Sequence, residues 1–206
     1  MSFVAEFNLL PLESLVKYSL RTAPVAARES LAKASRTLTN FAQLISPAAG
    51  GLLETMARRS HSLTRQRFGK TIRLFAPLYL SNECINNCKY CGFSRDNAIL
   101  RVTLSVAEVM REARALSAEG FRNILLVAGE HPKFVSNGYM AECVAALHTE
   151  WPGISLEVGP METEEYRPLT AAGADGLVVY QETYDRAIYD DLHAAGPKKN
   201  FDWRLE

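Results

Sequence analysis

From residue 71 onward, short apolar runs alternate with helical patterns, and this alternation most constrains the fold. The predicted strands are apolar runs bounded by polar or turn residues: 71–80, 123–128, 154–158 and 176–181. The predicted helices lie between and after them: 105–119, 138–150, 163–172 and an opening turn at 201–206. Strands and helices in this order form βαβ units around a parallel sheet.

Local signals place several helix limits. Ser105 and Glu108 have the spacing of a capping box, and Gly120 is expected to end the helix that they open. Pro168 is expected to distort the helix over 163–172 or to mark its true start, because proline lacks the backbone N–H donor.

Four βα units make half of a (β/α)8 barrel, which needs about 250 residues in full. The sequence is therefore expected to be the N-terminal part of a longer protein, and a complete open sheet of four units is the alternative. The edges of a half barrel are unpaired, so we expect residues 1–206 by themselves to be poorly soluble and inactive.

The first seventy residues show helical patterns and no strand pattern. Ser46 and Pro47 are predicted to begin a helix, with Ser46 as its cap, and Gly69 is predicted to end it. Leucine and methionine side chains recur along this helix at the spacing of a packing face. We interpret residues 1–70 as a helical extension that covers one end of the domain formed by 71–206.

Three cysteines, Cys84, Cys88 and Cys91, lie in the loop after the first predicted strand. Three thiolates in so short a loop can hold three irons of a cubane cluster and leave the fourth iron open, unlike ferredoxin runs in which every iron has a thiolate. A zinc site is the weaker alternative, because it normally needs a fourth ligand. Cys143 is distant, and we expect it to be a core residue of an apolar helix.

Composition excludes several classes of function. The 206 residues are 48% apolar and 22% charged. Lys and Arg together number 23, and so do Asp and Glu, so the formal net charge is zero. This balance does not favour nucleic-acid or membrane binding, and no apolar run has the length of a membrane span. The N-terminus lacks a secretory signal, so we expect a cytoplasmic protein.

Acidic side chains follow the predicted strands at their carboxyl ends, where active sites of such folds form. Gly129 and Glu130 follow the second strand, Glu157 lies in the third, and Glu182 follows the fourth. A single acidic residue there is usually a helix cap, but the coincidence with the cysteine loop favours a functional role for Glu130 and Glu182. Glu157 remains ambiguous, and His131 is interpreted as a loop residue. No role is assigned to the helical histidines His61, His148 and His193.

Several runs resemble the bacterial 2-iminoacetate synthases, the radical S-adenosylmethionine (SAM) tyrosine lyases of thiamine thiazole biosynthesis. They are Pro-Leu-Tyr-Leu-Ser-Asn at 77–82, Cys-x3-Cys-x2-Cys-Gly-Phe-Ser at 84–94, Leu-Leu-Val-Ala-Gly-Glu-His at 125–131, Val-Tyr-Gln-Glu-Thr-Tyr at 179–184 and Phe-x-Trp-Arg-Leu-Glu at 201–206. The helical runs 44–50 and 63–69 are also similar. The resemblance covers roughly residues 40–206 and implies the first half of a radical SAM (β/α) barrel, an α/β fold, after an N-terminal helical extension.

The resemblance also implies cofactors and their ligands. Cys84, Cys88 and Cys91 are expected to bind a 4Fe–4S cluster, with no catalytic side chain assigned in this part of the protein. The residues expected to contact SAM are Tyr90 at the adenine, Gly129 and Glu130 at the amino group, Glu182 at the ribose or amino-acid moiety, and Arg204 at the carboxylate.

The activity implied is radical cleavage of the tyrosine Cα–Cβ bond to 2-iminoacetate and p-cresol, after the reduced cluster cleaves SAM. Thiazole synthase and a flavodoxin-type reductant are the implied partners. The nearest rival is the tyrosine lyase of FeFe-hydrogenase maturation, which makes carbon monoxide and cyanide and needs a C-terminal extension with a second cluster. A non-catalytic cluster-binding scaffold is the third possibility.

Overall fold

The computed structural model describes residues 2–34 and 36–206, which divide into two compact units, Met1–Ile72 and Arg73–Glu206. The first unit is helical in its described part. Its helices are α1 (Phe3–Leu9), α2 (Leu12–Leu20), α3 (Pro24–Ala32), α4 (Leu38–Leu44), a 3-10 helix (Pro47–Leu52) and α5 (Leu53–Phe68).

The predicted helix start at Ser46 is only partly correct. The chain forms the 3-10 helix first, and α5 begins at Leu53 and ends before Gly69, whose φ of 69° suits glycine. Ser46 does not cap the helix with its side chain, because its hydroxyl donates to the backbone oxygen of Gln43 at 2.6 Å. The hydroxyl therefore closes the end of α4 instead.

The second unit contains the alternation of strands and helices that the sequence predicts. Its elements are β1 (Ala76–Ser81), β2 (Asn87–Cys88), α6 (Val106–Ala118), β3 (Asn123–Ala128), α7 (Asn137–His148), β4 (Gly153–Glu157), α8 (Thr163–Ala172), β5 (Gly176–Val178), α9 (Arg186–Leu192), β6 (His193–Ala195), a 3-10 helix (Pro197–Lys199) and α10 (Phe201–Leu205). No helix in the described residues is both long and apolar enough to cross a bilayer.

The main sheet is parallel and has the strand order β1-β3-β4-β5. The order follows the chain without reversal, as in one side of a (β/α) barrel, whereas a doubly wound sheet reverses its order at a switch point. The α/β prediction is confirmed. A separate antiparallel pair joins β2, in the cysteine loop, to β6.

Two strands are shorter than predicted. β1 begins at Ala76, the first residue that pairs with β3, opposite Ile124. β5 ends at Val178, and the backbone oxygen of Tyr180 accepts from the Arg204 guanidinium at 2.8 Å instead of from a strand.

Pro168 does not mark the start of α8, which begins at Thr163 and continues through the proline to Ala172. Glu162 and Glu165 form a capping box that satisfies the first turn, and Leu169 is fully buried in the core. These contacts offset the single backbone hydrogen bond that proline removes.

The core of this unit lies between the sheet and α6, α7 and α8. Leu126, Leu156 and Leu177 are register neighbours on β3, β4 and β5, with exposures of 0%, 2% and 46%. Leucine is therefore fully buried at this register position in the centre of the sheet, and it is about half exposed to solvent on the edge strand β5.

This register gives a matched stability prediction. Leu126→Ala is expected to lower the free energy of unfolding by about 2–5 kcal/mol, because it removes a fully buried side chain and leaves a cavity. Leu177→Ala should cost much less, since its side chain already contacts solvent. Denaturant unfolding of the two variants checks this, and equal losses would contradict the burial described here.

Candidate functional site

The carboxyl ends of the parallel strands surround a cavity of about 330 Å³. All residues that the sequence assigned to the cluster and to SAM line this cavity: Cys84, Cys88, Tyr90, Cys91, Gly129, Glu130, Glu182 and Arg204. Glu157 at the end of β4 lines it as well, and Lys198 is a residue that the sequence did not indicate. The structure thus brings the predicted set together, while the role of each residue stays a prediction.

Gly129 allows the cysteine loop to approach β3 closely. A Cβ atom at this position would lie 2.2 Å from the backbone oxygen of Glu83, which no real Cβ tolerates. Two backbone hydrogen bonds also join these segments. The N–H of Gly129 donates to the backbone oxygen of Ser81 at 3.0 Å, and the N–H of Ile85 donates to the backbone oxygen of Glu130 at 2.9 Å. The glycine is therefore required for packing of the cysteine loop.

The three thiols line the cavity in a polar setting. The backbone N–H of Asn86 donates to Cys84 Sγ at 3.4 Å, and that of Phe93 donates to Cys91 Sγ at 3.4 Å. Burial raises the pKa of Cys88, while the charge of Lys198 acts in the opposite direction. N–H donors and a nearby cation favour sulfur that carries negative charge, as it does in an iron–sulfur cluster.

The donor type of these thiols suits an iron–sulfur cubane. Within residues 2–34 and 36–206, no three His, Cys, Asp or Glu side chains converge as ligands of one metal ion do. The ligands of a cubane bind separate irons and need not converge on a point. Three thiols that line one cavity, with backbone N–H groups donating to two of them, are compatible with that requirement.

Glu130 and Arg204 are paired with each other. Arg204 Nη1 lies 2.7 Å from Glu130 Oε1, and the two side chains are 6% and 19% exposed. The other carboxylate oxygen accepts from Asn86 Nδ2 at 2.8 Å. Because both oxygens already have protein donors, the carboxylate has a fixed orientation at the cavity wall.

Glu182 forms a second ion pair, with Lys198 Nζ at 2.8 Å. Its φ of 71° is positive, which among the described residues is otherwise seen at glycines alone. Burial raises the pKa of Glu182, but the hydrogen bond and charge of Lys198 outweigh it and lower the pKa overall. The ion pair with Lys198 therefore keeps the Glu182 carboxylate at the cavity, although the positive φ of Glu182 is an unfavourable backbone conformation.

Tyr90 is oriented by a residue to which the sequence assigned no role. His193 Nε2 lies 2.8 Å from the Tyr90 hydroxyl, and His193 Nδ1 lies 2.7 Å from the backbone oxygen of Tyr189. A carbonyl can only accept, so Nδ1 carries the proton and Nε2 accepts from Tyr90. His193 is fully buried and begins β6, where the prediction placed it on a helix.

Two other predicted residues lie outside the cavity. Cys143 is fully buried in α7, and burial raises the pKa of its thiol to about 11, as suits a core side chain. His131 lies in the loop after β3 and contacts Phe134 edge-on, with ring centroids 4.7 Å apart and the ring planes at 67°. Its Nδ1 accepts from the backbone N–H of Lys133 at 3.3 Å.

The sheet and the cysteine-lined cavity define a radical SAM enzyme fold. Residues 78–206 match the radical SAM superfamily, and the chain belongs to that superfamily. The chain is 46% identical to 2-iminoacetate synthase of Escherichia coli over 170 residues, which are 82% of this chain and 45% of that protein. It is also 46% identical to 2-iminoacetate synthase of Salmonella typhimurium over 163 residues, which are 79% of this chain and 43% of that protein.

Solved structures give the same result for the fold. A crystal structure of HydG, a maturase of the FeFe-hydrogenase, superposes with a TM-score of 0.87 at 27% identity, over 93% of this chain and 44% of that chain. The predicted radical SAM barrel fold is therefore confirmed for the part present. The chain spans somewhat less than half the length of the curated relatives that it matches. The superfamily uses a 4Fe–4S cluster and SAM, which confirms the predicted cofactors.

Proposed function

We propose that this chain forms the part of a 2-iminoacetate synthase that binds the cluster and SAM, in an enzyme that cleaves tyrosine to 2-iminoacetate and p-cresol. The observation that carries the proposal is the cavity, which three thiols and two carboxylate–cation pairs line together. The 46% identity to the Escherichia coli enzyme supports this choice among radical SAM reactions.

In this proposal Cys84, Cys88 and Cys91 hold the 4Fe–4S cluster. With SAM, the reduced cluster supplies the radical that abstracts hydrogen in this superfamily. Tyr90, half exposed to the cavity, offers its ring to the adenine. Its hydroxyl bond to His193 keeps the ring in one orientation.

The Glu130–Arg204 ion pair suits the amino-acid moiety of SAM, which carries one ammonium and one carboxylate. The Glu130 carboxylate can accept from the ammonium, and the Arg204 guanidinium can bind the carboxylate in a planar, bidentate manner. The Glu182 carboxylate can then accept hydrogen bonds from the ribose hydroxyls. Each charge of the amino-acid moiety then meets an opposite charge that the cavity already holds.

The remaining parts of the proposal concern substrate, partners and location. Tyrosine is the substrate that the similarity to 2-iminoacetate synthase favours. Thiazole synthase is the proposed acceptor of 2-iminoacetate, and a flavodoxin-type protein is the proposed electron donor. A reducing compartment, the cytoplasm, suits an oxygen-sensitive cluster. We further propose that residues 1–70 are an extension of the barrel that residues 71–206 begin.

The hydrogenase-maturation activity is a second candidate, because the TM-score of 0.87 to HydG is high. The identity of 27% to HydG is, however, well below the 46% to the Escherichia coli 2-iminoacetate synthase. Products separate the two candidates, since the second one converts the tyrosine-derived fragment into carbon monoxide and cyanide.

A hybrid enzyme tests the proposed activity. This chain replaces the matching part of the Escherichia coli 2-iminoacetate synthase, and the reconstituted hybrid receives SAM, tyrosine and a reductant. We expect p-cresol and 2-iminoacetate in amounts that follow the cluster content, without carbon monoxide or cyanide. A hybrid that holds a full cluster and cleaves SAM without forming p-cresol would contradict the proposal.

A further inference from the structure

Asn86 lies between two of the cysteines, is 1% exposed, and connects three parts of the cavity wall. Its side-chain Nδ2 donates to Glu130 Oε2 at 2.8 Å and lies 3.7 Å from Cys84 Sγ. Its Oδ1 accepts from the backbone N–H of Lys198 at 2.8 Å. The amide therefore contacts the cysteine loop, the end of β3 and the segment 196–198 at once.

The donors and acceptors leave one orientation for this amide. The N–H of Lys198 can only donate, so the amide oxygen faces it, and the NH2 group must face Glu130 and Cys84. The opposite orientation would direct an oxygen at the carboxylate and an NH2 group at an N–H. In a buried site that exchange leaves polar groups without partners.

The segment 196–198 is shaped to receive Asn86. Gly196 has a φ of 95°, and a Cβ atom there would lie 2.5 Å from Asn86 Oδ1 and 2.7 Å from Asn86 Cα. Only a glycine therefore lets this segment approach closely enough for the Lys198 N–H to reach the amide oxygen.

We propose that Asn86 is the positioning residue for Glu130. Arg204 holds one carboxylate oxygen and Asn86 holds the other, so together they fix the plane of the carboxylate. A carboxylate has about four lone-pair positions, and these two donors leave acceptor capacity in a defined direction for an ammonium group. The inference rests on the proposed contact between Glu130 and the amino group of SAM.

Asn86→Asp separates this role from a purely structural one. The new side chain keeps an oxygen for the Lys198 N–H, but it replaces the donor toward Glu130 with a second carboxylate. Asn87→Asp is the matched control. It makes the same chemical change at the next residue of the loop, whose side chain contacts Asp96 and not Glu130.

The measurement is the dissociation constant of SAM for the anaerobically reconstituted hybrid with the Escherichia coli enzyme, with iron and sulfide content determined in parallel. We expect Asn86→Asp to weaken SAM binding at least about tenfold, which corresponds to about 1.4 kcal/mol. Asn87→Asp should leave it within about twofold, since that side chain makes no contact with the carboxylate. Unchanged SAM affinity in Asn86→Asp would overturn the inference.

A Glu130→Ala variant in the same series keeps the two proposals apart. If Glu130→Ala weakens SAM binding and Asn86→Asp does not, the inference fails while the proposed cofactor contact stands. If Glu130→Ala has no effect, the contact itself is wrong.

If Asn86→Asp reduces the cluster content, a double-mutant cycle in the cluster-free chain replaces the affinity measurement. Asn86→Asp and Glu130→Gln reverse donor and acceptor across the same contact. We expect the penalty of Asn86→Asp on the free energy of unfolding to shrink in the Glu130→Gln background. Strictly additive effects would overturn the inference.

Discussion

Replacing Cys88 with alanine is expected to abolish binding of the 4Fe–4S cluster. Each of the three cysteines is assigned one iron, so the variant would retain two thiolates for a cubane that needs three. Cys88 is also the most enclosed of the three, 6% exposed, and it pairs with β6. Iron and sulfide content after anaerobic reconstitution, and the EPR signal on reduction, measure the loss.

Cys143→Ala is the control for this prediction. Cys143 is fully buried in α7 and lies outside the cavity, so the variant should keep its cluster despite a small loss of stability. Equal cluster content in the Cys88 and Cys143 variants would contradict the ligand assignment, and so would zinc in place of iron.

The elements predicted best from sequence are those whose signals are local. β3 has the predicted limits, Asn123–Ala128, because its apolar run is bounded by polar and glycine residues. α6 begins after the predicted capping box of Ser105 and Glu108. The limits of β1 and β5 could not be predicted in this way, since a strand ends where its partner or its hydrogen-bond acceptor changes. β2 and β6 are too short for any periodicity to reveal.

In the candidate site too, some residues could be predicted from local sequence signals and others depend on how the chain folds. The rule that strand ends meet at one edge of the sheet brought Gly129, Glu130 and Glu182 to the cysteine loop, and the structure places them there. Lys198, which lines the cavity, and His193, which contacts the Tyr90 hydroxyl, were missed because the segment 193–199 reaches the cysteine loop only when the chain folds back on it. Asn86 carried a signal that could have been used, a polar side chain between two cysteine ligands.

Pairing between the predicted residues was not visible in the sequence either. Glu130 and Arg204 are separated by 74 residues, and each was assigned to a different group of SAM. In the structure the two side chains form an ion pair with each other. Their contact therefore contributes to the stability of the fold as well as to the cofactor site.

This double role makes Glu130→Ala the second change with a large expected effect. The variant leaves the Arg204 guanidinium, 6% exposed, without its carboxylate, and removal of one partner from a buried pair costs about 3–5 kcal/mol of unfolding free energy. SAM binding should weaken by about 1.5–3 kcal/mol, as for a lost hydrogen bond to a charged group. Denaturant unfolding and SAM titration of the reconstituted chain measure the two effects separately.

Glu150→Ala is the matched control for stability. Glu150 pairs with Arg114 at the same distance of 2.7 Å, but both side chains are solvent-exposed, so water replaces the lost partner. We expect this variant to unfold almost as the parent chain does and to bind SAM equally well. If Glu130→Ala and Glu150→Ala had the same small effect on unfolding, the Glu130–Arg204 contact would behave as a surface pair, which would contradict the burial of these two side chains.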